Sequence, residues 1–374
     1  MSTADPLPLA QALLQCPSVT PADAGAQAVL AAALEQIGFS VERRKDGMVH
    51  NLIAVLDGAG PHLGFAGHTD VVPAGDGWRH DPFSGTISDG VLHGRGAVDM
   101  KGAIAAFVAA VMQHRDAGRR LGRLTLLITG DEEGDATDGT MRILETLAAR
   151  QAIPDACLVG EPTSVSTLGD TIKIGRRGSL SAEITVRGVQ GHVAYPHRAD
   201  NPLHRLIPAL EALRGTDLDR GTEFFEPSSL QITSVDVGNP TGNVIPGAAQ
   251  ARLNIRFNDQ HRAATLERWI REKILAYAPD AQLVITVSGE AFRTEPGALT
   301  DRLIRAIEAI TGLMPRLDTG GGTSDARFIS RYCPVAEFGL VGTRMHQVDE
   351  AVPVQELRDL TQIYAHFLAD WFGP

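Results

Sequence analysis

The chain has 374 residues, of which 43% are hydrophobic and 21% charged, with 34 basic against 45 acidic side chains and a net charge of -11. This length exceeds one typical hydrophobic core, and the composition is that of a globular protein. The negative charge argues against a surface for nucleic acid or for an anionic membrane, so the expected partners are a small molecule or another protein chain.

The N-terminal residues and the cysteines narrow the class of protein further. Residues 1–19 lack a basic start followed by a long apolar run, and no segment reaches about 18 uninterrupted apolar residues, so we expect a cytoplasmic protein. Cys16, Cys157 and Cys333 are an odd number, lie far apart and form no C-x-x-C pair. They are therefore expected to be buried free thiols, and neither a disulfide framework nor a thiolate zinc site is indicated.

Short apolar runs alternate with helical patterns along much of the chain. In chain order these segments are LGFAGH (63–68), MKGAIAAFVAAVMQHR (100–115), RLTLLITG (123–130), GTMRILETLAAR (139–150), DACLVGE (155–161), DRLIRAIEAITG (301–312), AEFGLVG (336–342) and QELRDLTQIYAHFLADWF (355–372). Continuous apolar strands separated by amphipathic helices predict an α/β fold with a mostly parallel sheet covered by helices on both faces. We assign residues 1–177 and 291–374 to this first domain.

A second pattern occupies residues 178–290, where apolar and polar residues alternate. In SLSAEITVRGV, Leu180, Ala182, Ile184 and Val186 share one face, and AQARLNIRFND repeats the alternation. The predicted elements are strand (179–189), helix (201–214), strand (229–238), strand (246–258), helix (263–278) and strand (281–289). This β-α-β-β-α-β order predicts a ferredoxin-like α+β domain inserted into the first domain.

Polar residues stand at the ends of the predicted strands of the first domain. They are His68, Asp70, Glu132, Glu133, Glu161 and His346. Ligands of open α/β sheets bind outside the carboxyl ends of the strands, and Asp99, just before a helix, can join this rim from a loop. Each segment alone also fits a surface turn, a helix cap or a solvated acidic loop. Together, however, these carboxylates, clustered beside two imidazoles, repel one another unless cations lie between them, so we predict metal ions here.

Five motifs resemble one known family. GHTDVVPAG, GRGAVDMKG, TGDEEG, VGEPTS and MHQVDE occur in this order and resemble the dinuclear zinc aminoacylase and carboxypeptidase family, the M20-type metallohydrolases. The resemblance implies that the first domain is catalytic and binds metal, and that the inserted domain is a dimerisation lid in a homodimer. It also implies two Zn2+ ions per subunit, and Co2+ or Mn2+ also suits oxygen and imidazole ligands.

The resemblance further implies a role for each residue of the rim. One zinc ion would be held by His68, Asp99 and Glu161 and the other by Asp99, Glu133 and His346, with Asp99 bridging. Glu132 corresponds to the general base, which must accept a proton from water and pass it to the departing amine. Asp70 lies two residues after His68 and is expected to accept a hydrogen bond from its second ring nitrogen. His192 is expected to reach the partner's metal site and donate to the oxyanion.

Three longer stretches are similar to the family members that act on N-succinyl-diaminopimelate. They are GRRGSLSAEITVRGVQGHVAYPHRADNPLHRL, TSVDVGNPTGNVIPGAAQARLNIRFND and TGGGTSDARFI. The similarity implies hydrolysis of N-succinyl-LL-2,6-diaminopimelate to succinate and LL-2,6-diaminopimelate, a step toward lysine and cell-wall precursors. The substrate carboxylates call for the bidentate fork of arginine. The substrate-binding candidates are Arg176 and Arg256, with smaller contacts from Ser179, Asn243, Gly322 and Thr323.

Two alternatives stay open. A related amidohydrolase, such as an acetylornithine deacetylase or another aminoacylase, would share the ligands and differ in the acyl group that it releases. A metal-stabilised binding module without catalysis would also need the ligands, but it would not need the extra carboxylate of Glu132. The sequence therefore favours an enzyme over a binding module.

Overall fold

The computed structural model describes residues 4–373, and the chain divides into two compact units. The first unit contains the residues up to Ile174, Thr294–Asp318 and those from Ser324 onward, and the second contains Gly175–Arg293 and Thr319–Thr323. Nine α-helices lie in the described residues: α1 (Leu7–Leu14), α2 (Ala26–Gln36), α3 (Lys101–Asp116), α4 (Thr140–Ala149), α5 (Leu203–Arg214), α6 (Ala263–Tyr277), α7 (Ala298–Thr311), α8 (Ala326–Ile329) and α9 (Val354–Phe372). Across residues 4–373, no helix combines the length and apolar character needed to cross a membrane.

The strands of the described residues are numbered in chain order. They are β1 (Ser40–Asp46), β2 (Val49–Leu56), β3 (His62–His68), β4 (Ile87–Ser88), β5 (Val91–His93), β6 (Arg123–Thr129), β7 (Ala156–Val159), β8 (Thr171–Lys173), β9 (Gly175–Arg176), β10 (Gly178–Arg187), β11 (Gly191–His192), β12 (Ser229–Asp236), β13 (Val244–Ile245), β14 (Ala248–Phe257), β15 (Gln282–Gly289), β16 (Phe292–Arg293), β17 (Arg316–Asp318), β18 (Val335–Glu337) and β19 (Ala351–Pro353).

An eight-stranded sheet forms the centre of the first unit, with the strand order β1-β2-β6-β3-β7-β18-β8-β17. β3 pairs in parallel with both β6 and β7, and β7 pairs in parallel with β18. β1, β2 and β6 are joined by antiparallel pairing at one edge, β18 meets β8 in antiparallel register, and β8 and β17 pair in parallel at the other edge. The predicted α/β class with a mostly parallel sheet is confirmed.

Apolar packing fixes the positions of these central strands. β3, β6 and β7 are buried along nearly their whole length, and α3 is buried on almost every side. The rings of Phe65 and Phe107 stack with centroids 3.9 Å apart, and Tyr364 meets both rings edge-on. The Tyr364 hydroxyl donates to the carbonyl of Phe338 at 2.7 Å, which satisfies its only polar group inside the core. A densely packed interior therefore holds the carboxyl ends of the strands in place.

The structure differs from the predicted elements in two places. The apolar pattern did not predict α1, α2 or the β1–β2 hairpin. For β1 the reason is that this charged edge strand is largely exposed. β18 ends at Glu337, whereas the apolar run that predicted it extends to residue 342. Beyond β18, Gly339 lies so close to the segment after β7 that a Cβ there would meet the Glu161 carbonyl oxygen at 2.5 Å, so a larger residue would not fit without a shift of the backbone.

The second unit is built on a four-stranded antiparallel sheet with the order β12-β14-β10-β15. α5 follows β10 and α6 follows β14, which gives the predicted β-α-β-β-α-β order. Leu180, Ile184 and Val186 are buried in one core with residues of both helices, whereas Glu183 and Arg187 on the other face are exposed. The ferredoxin-like fold and its one-sided burial are thus confirmed.

Candidate active site

The carboxyl ends of neighbouring parallel strands bring polar side chains together in the first unit. His68 is the last residue of β3 and pairs in register with Thr129, the last residue of β6. Glu132 and Glu133 follow β6, and Glu161 follows β7. Asp99 arrives from the loop before α3, and its peptide bond to Met100 is cis. The strands thus end where the sequence predicts a common rim.

A first group of candidate ligands consists of His68, Asp99 and Glu161. One nitrogen or oxygen atom of each lies within 4.8 Å of the others. His68 Nε2 is 3.1 Å from Asp99 Oδ1 and 3.8 Å from Glu161 Oε1. All three side chains are buried, so the surrounding protein atoms hold their polar atoms in place.

A second group consists of Asp99, Glu133 and His346, again with ligand atoms within 4.8 Å of one another. His346 Nε2 is 2.8 Å from Glu133 Oε1 and 3.3 Å from Asp99 Oδ2. Asp99 therefore directs one carboxylate oxygen toward each imidazole, which is the arrangement expected of a bridging ligand. Glu132 forms a further such group with His68 and Glu133, so the distances alone also permit it to bind metal.

The electrostatics of the cluster require positive charge. Burial acts to lower the pKa of His68, but the hydrogen bond to Asp99 and the charge of Glu161 raise that pKa well above its usual value. Hydrogen bonds to Asp99 and Glu133 raise the pKa of His346 to about 10. Burial and the charge of Glu161 raise the pKa of Glu132 well above the usual range. The carboxylates thus draw protons onto both imidazoles, and divalent cations between the same atoms would meet the same demand.

The donor atoms fit such cations. Imidazole nitrogens and carboxylate oxygens suit zinc, cobalt and manganese, and because Asp99 is shared, each of the two groups offers three candidate ligands. Cys16, Cys157 and Cys333 are free and buried, and none belongs to the candidate ligand groups found in residues 4–373. The site thus offers oxygen and nitrogen atoms of the kind that bind metal in hydrolytic centres.

Asp70 differs in detail from its predicted contact. The sequence predicts that its carboxylate accepts from His68, but that carboxylate lies 3.6 Å from His68 Nδ1, and the backbone carbonyl of Asp70 accepts instead at 2.9 Å. The carboxylate is engaged by the backbone N–H groups of Glu132 and Glu133, at 3.3 and 3.0 Å. Asp70 therefore orients His68 through its main chain and the two glutamates through its side chain.

The two arginines predicted to bind substrate lie in the second unit. Arg176 Nη1 donates to the carbonyl of Gly322 at 3.3 Å, and Thr323 is the next residue in that segment. Arg256 stands opposite Ser179 in the β10–β14 register. Burial, together with the charge of Arg177, lowers the pKa of Arg256, and within residues 4–373 its guanidinium has no carboxylate partner. The neighbouring guanidinium groups of Arg256 and Arg177 favour the binding of an anion.

His192 and Asn243 are brought side by side by the short β11–β13 ribbon. His192 pairs in register with Val244, and the N–H of Val193 donates to the carbonyl of Asn243 at 3.1 Å. The His192 ring is exposed, and its Nδ1 accepts the backbone N–H of Ala194 at 3.1 Å. Because Nδ1 is an acceptor, a neutral His192 carries its proton on Nε2, which is then a free donor.

Sequence reasoning missed three buried charged residues beneath the ligands. Asp131 accepts the backbone N–H groups of Thr137 and Asp138 at 3.0 and 3.2 Å and so shapes the loop after β6. Arg95 and Glu350 form a buried ion pair with 2.7 Å between Nη1 and Oε2. All three lie inside the motifs that carry the ligands, and that position is the only signal in the sequence that distinguishes them from surface charges.

Comparison with known sequences gives a consistent family and a consistent set of relatives. The model of peptidase family M20/M25/M40 matches residues 64–370. Over 368 residues the chain is 66% identical to the succinyl-diaminopimelate desuccinylase of Acidiphilium cryptum, covering 98% of this chain and 99% of that protein. It is 61% identical to the desuccinylase of the same name from Gluconacetobacter diazotrophicus, covering 98% and 97% of the two chains.

Solved structures show the same fold at low sequence identity. An M20 family metallo-carboxypeptidase from Sulfolobus solfataricus aligns with a TM-score of 0.81 at 16% identity, covering 100% of this chain and 99% of that one. A dinuclear metal binding peptidase of the M20 family from Bacillus subtilis aligns with a TM-score of 0.70 at 17% identity, covering 97% and 96%. The ligand groups, the fold and the match over residues 64–370 lead to one assignment: this chain belongs to peptidase family M20/M25/M40.

Proposed function

We propose that this chain is a metal-dependent amidohydrolase that converts N-succinyl-LL-2,6-diaminopimelate and water into succinate and LL-2,6-diaminopimelate. The observation that carries the hydrolytic chemistry is the pair of ligand groups that share Asp99, with a further carboxylate, Glu132, beside them. The identity of 66% and 61% to proteins named succinyl-diaminopimelate desuccinylase supports the choice of substrate.

The proposed ligands are His68, Asp99 and Glu161 for one ion and Asp99, Glu133 and His346 for the other, with zinc as the expected metal and cobalt or manganese as substitutes. Bound divalent cations would supply Lewis acidity, which lowers the pKa of water and polarises the scissile carbonyl. The pair of ions is supported by the two oxygens of Asp99, which face His68 and His346 at 3.1 and 3.3 Å.

Glu132 is the proposed general base. The Asp70 carboxylate accepts its backbone N–H, and within residues 4–373 its side chain lies beside His68 and Glu133 without forming an ion pair, so the carboxylate is available to a water molecule. Glu132 would accept the proton of the attacking water and return it to the amine nitrogen as the amide bond breaks. Burial raises the pKa of Glu132, and a raised pKa suits this double task because it makes the carboxylate a stronger base toward the proton of water.

The second unit supplies the proposed substrate contacts and oxyanion donor. Arg176 and Arg256 would bind substrate carboxylates through their forks, and Ser179, Asn243, Gly322 and Thr323 would add smaller contacts. His192, with Nε2 free to donate, would stabilise the oxyanion in the site of a partner subunit of a homodimer. We expect neither nucleic acid nor membrane among the partners.

Steady-state kinetics on a panel of acylated amino acids tests this proposal. Purified, metal-loaded protein should release primary amine from N-succinyl-LL-2,6-diaminopimelate with a specificity constant far above that for N-acetylornithine. A preparation of Glu132→Ala, purified in the same way, is the control for contaminating hydrolases. Equal specificity constants for the two substrates would refute the desuccinylase assignment and favour a deacetylase or another aminoacylase.

A further inference from the structure

The buried charges of Arg95 and Glu350 lie between two of the loops that carry candidate ligands. Their side chains are 2% and 0% exposed, and Arg95 Nη1 donates to Glu350 Oε2 at 2.7 Å. Charges are costly to bury, and an ion pair of this kind contributes little net stability by itself. The contacts that the two side chains make with the backbone therefore indicate what the pair does.

Glu350 holds the loop that ends in the bridging aspartate. Its Oε1 accepts three backbone donors, the N–H groups of Gly96, Val98 and Asp99, at 3.1, 2.9 and 3.2 Å. A single carboxylate oxygen therefore gathers the main chain of residues 96–99 around one point. Asp99 is the residue whose two oxygens face both imidazoles, so its backbone position affects both ligand groups.

Arg95 holds the loop that carries His346. Its guanidinium donates to the carbonyls of His346 at 3.3 Å and of Gln347 at 3.1 Å, and also to those of Pro73 and Ala74 at 3.3 and 3.2 Å. Its other face lies over the Trp78 ring, 5.3 Å from the centroid. The planar fork of arginine suits this set of carbonyls, and the single ammonium of lysine cannot reach them all.

His346 needs this external support. Its φ angle is 62°, in the left-handed region that is uncommon for residues other than glycine. Its side chain is 48% exposed, so packing around the ring does not fix it. The hydrogen bond from Arg95 to the His346 carbonyl is therefore one of the few contacts that hold this ligand in place.

We propose that the Arg95–Glu350 pair is a positioning device that sets the separation of Asp99 and His346 and so determines the metal affinity of the group Asp99, Glu133 and His346. This inference rests on the proposed metal-dependent function. Neither residue belongs to the candidate ligand groups of residues 4–373. The pair joins the backbone of a ligand shared by both groups to the backbone of a ligand found in one of them, so the two groups should not respond equally.

Cobalt titration of metal-free protein tests the proposal, with visible absorption and calorimetry as readouts that do not depend on turnover. In Glu350→Gln and Arg95→Lys, one of the two Co2+ equivalents should weaken by about 10- to 100-fold, the range typical of residues that orient metal ligands, while the other changes little. Glu350→Gln keeps the shape but places an amide N–H2 against one set of donors. Arg95→Lys keeps the charge and loses the fork, and it carries the test should Glu350→Gln not fold.

A matched variant separates positioning from general loss of stability. Lys173→Met removes another partly buried ion pair of the first unit, which Lys173 forms with Asp318 where β8 and β17 pair. It should lower the thermal midpoint of the metal-free protein and leave both Co2+ equivalents unchanged. Equal weakening of both equivalents in all three variants, in proportion to the fall in midpoint, would overturn the positioning role. Failure of the wild-type protein to bind two Co2+ ions would instead refute the proposed metal centre.

Discussion

Glu132 and Glu133 are adjacent in the chain, yet their carboxylates have different neighbours. Glu133 Oε1 lies 2.8 Å from His346 Nε2, in the group that also contains Asp99. Glu132 lies in a group with His68, and the largest effects on its pKa are burial and the charge of Glu161. The Asp70 carboxylate accepts both of their backbone N–H groups. The proposed difference in role between the two glutamates therefore depends on where each side chain points.

The first prediction separates these two roles. Glu132→Ala should reduce turnover of the succinylated substrate by at least about 10^2-fold, the lower end of what a positioned general base contributes, while the protein retains both metal equivalents. Glu133→Ala should lose activity together with one metal equivalent, because it removes a ligand. Elemental analysis of the dialysed proteins decides the point. Metal loss from Glu132→Ala as large as that from Glu133→Ala would show that the two roles are exchanged.

The third acid of the same motif shows what residue type alone cannot reveal. Asp131 looks equivalent to its neighbours in the sequence, but it is buried and accepts the N–H groups of Thr137 and Asp138. The candidate ligand groups were predictable because histidine and carboxylate residues recur at strand ends, where α/β proteins bind ligands. The roles of Asp131, Arg95 and Glu350 were not predictable. The sequence does not distinguish a buried charged residue that holds backbone atoms from a solvated one.

Regular elements were predictable where the apolar period was strong, and loops were not. β3, β6, β7, α3 and α9 have boundaries within one residue or a few residues of their sequence patterns, because buried strands and buried helices leave continuous apolar runs. The stretch between α5 and β12 has no such period. It is held by Asp219, whose side chain is 5% exposed and accepts hydrogen bonds from the backbone of Gly221 at 2.7 Å, Asn258 Nδ2 at 2.7 Å and His261 Nε2 at 2.8 Å.

Asp219 gives a prediction about pH. Burial acts to raise its pKa, but hydrogen bonds from Ser228, Gly221 and His261 lower it to about 2. A carboxyl group whose pKa is lower in the folded than in the unfolded state contributes stability above its unfolded pKa of 3.8 and loses it as pH falls toward 2. At pH 7, Asp219→Asn should therefore lower the free energy of unfolding by about 1–2 kcal/mol, a figure reduced to allow for solvent screening.

Urea denaturation at a series of pH values measures this effect. The difference between the wild-type protein and Asp219→Asn should be constant from pH 7 to about pH 5 and should shrink as the pH falls below 4. Asp236→Asn, at an exposed aspartate that ends β12, is the control and should differ little from the wild-type protein at any pH. A difference for Asp219→Asn that persists undiminished at pH 3 would mean that the side chain acts through its shape and not through its charge.

At the scale of the whole molecule, the two units differ in the apolar period of their strands. The change of period distinguishes the two units in the sequence. The first unit has the continuous apolar strands that a sheet covered on both faces requires, and the second has the alternation of a sheet with one wet face. Within the second unit, β12 and β15 are the edge strands of the sheet and expose unpaired backbone groups. A two-fold partner can cover such an edge, so we predict a homodimer, and this assembly stays a prediction.

The role of His192 tests the predicted dimer and the proposed mechanism together. The ring is exposed, lies 5.8 Å from that of Tyr195, and leaves Nε2 free because Nδ1 accepts the Ala194 N–H. If Nε2 donates to the oxyanion in the partner's site, His192→Ala should lose about 10^2- to 10^3-fold in turnover while its metal content and its dimeric state are unchanged. Glu132→Ala should be similarly inactive, for lack of the base.

Mixed dimers of these two inactive proteins should recover activity. In a dimer of one His192→Ala chain and one Glu132→Ala chain, one site combines an intact Glu132 with the intact His192 of the other chain, and the second site lacks both. Random re-association of equal amounts gives mixed dimers in half of the population, so about a quarter of the wild-type sites should be active. Native mass spectrometry of chains that carry different tags measures the fraction of mixed dimers, and each variant subjected alone to the same exchange is the control. Verified mixed dimers without activity would place His192 in its own chain's site or outside the reaction, because only donation across the interface lets two defective chains complete one site.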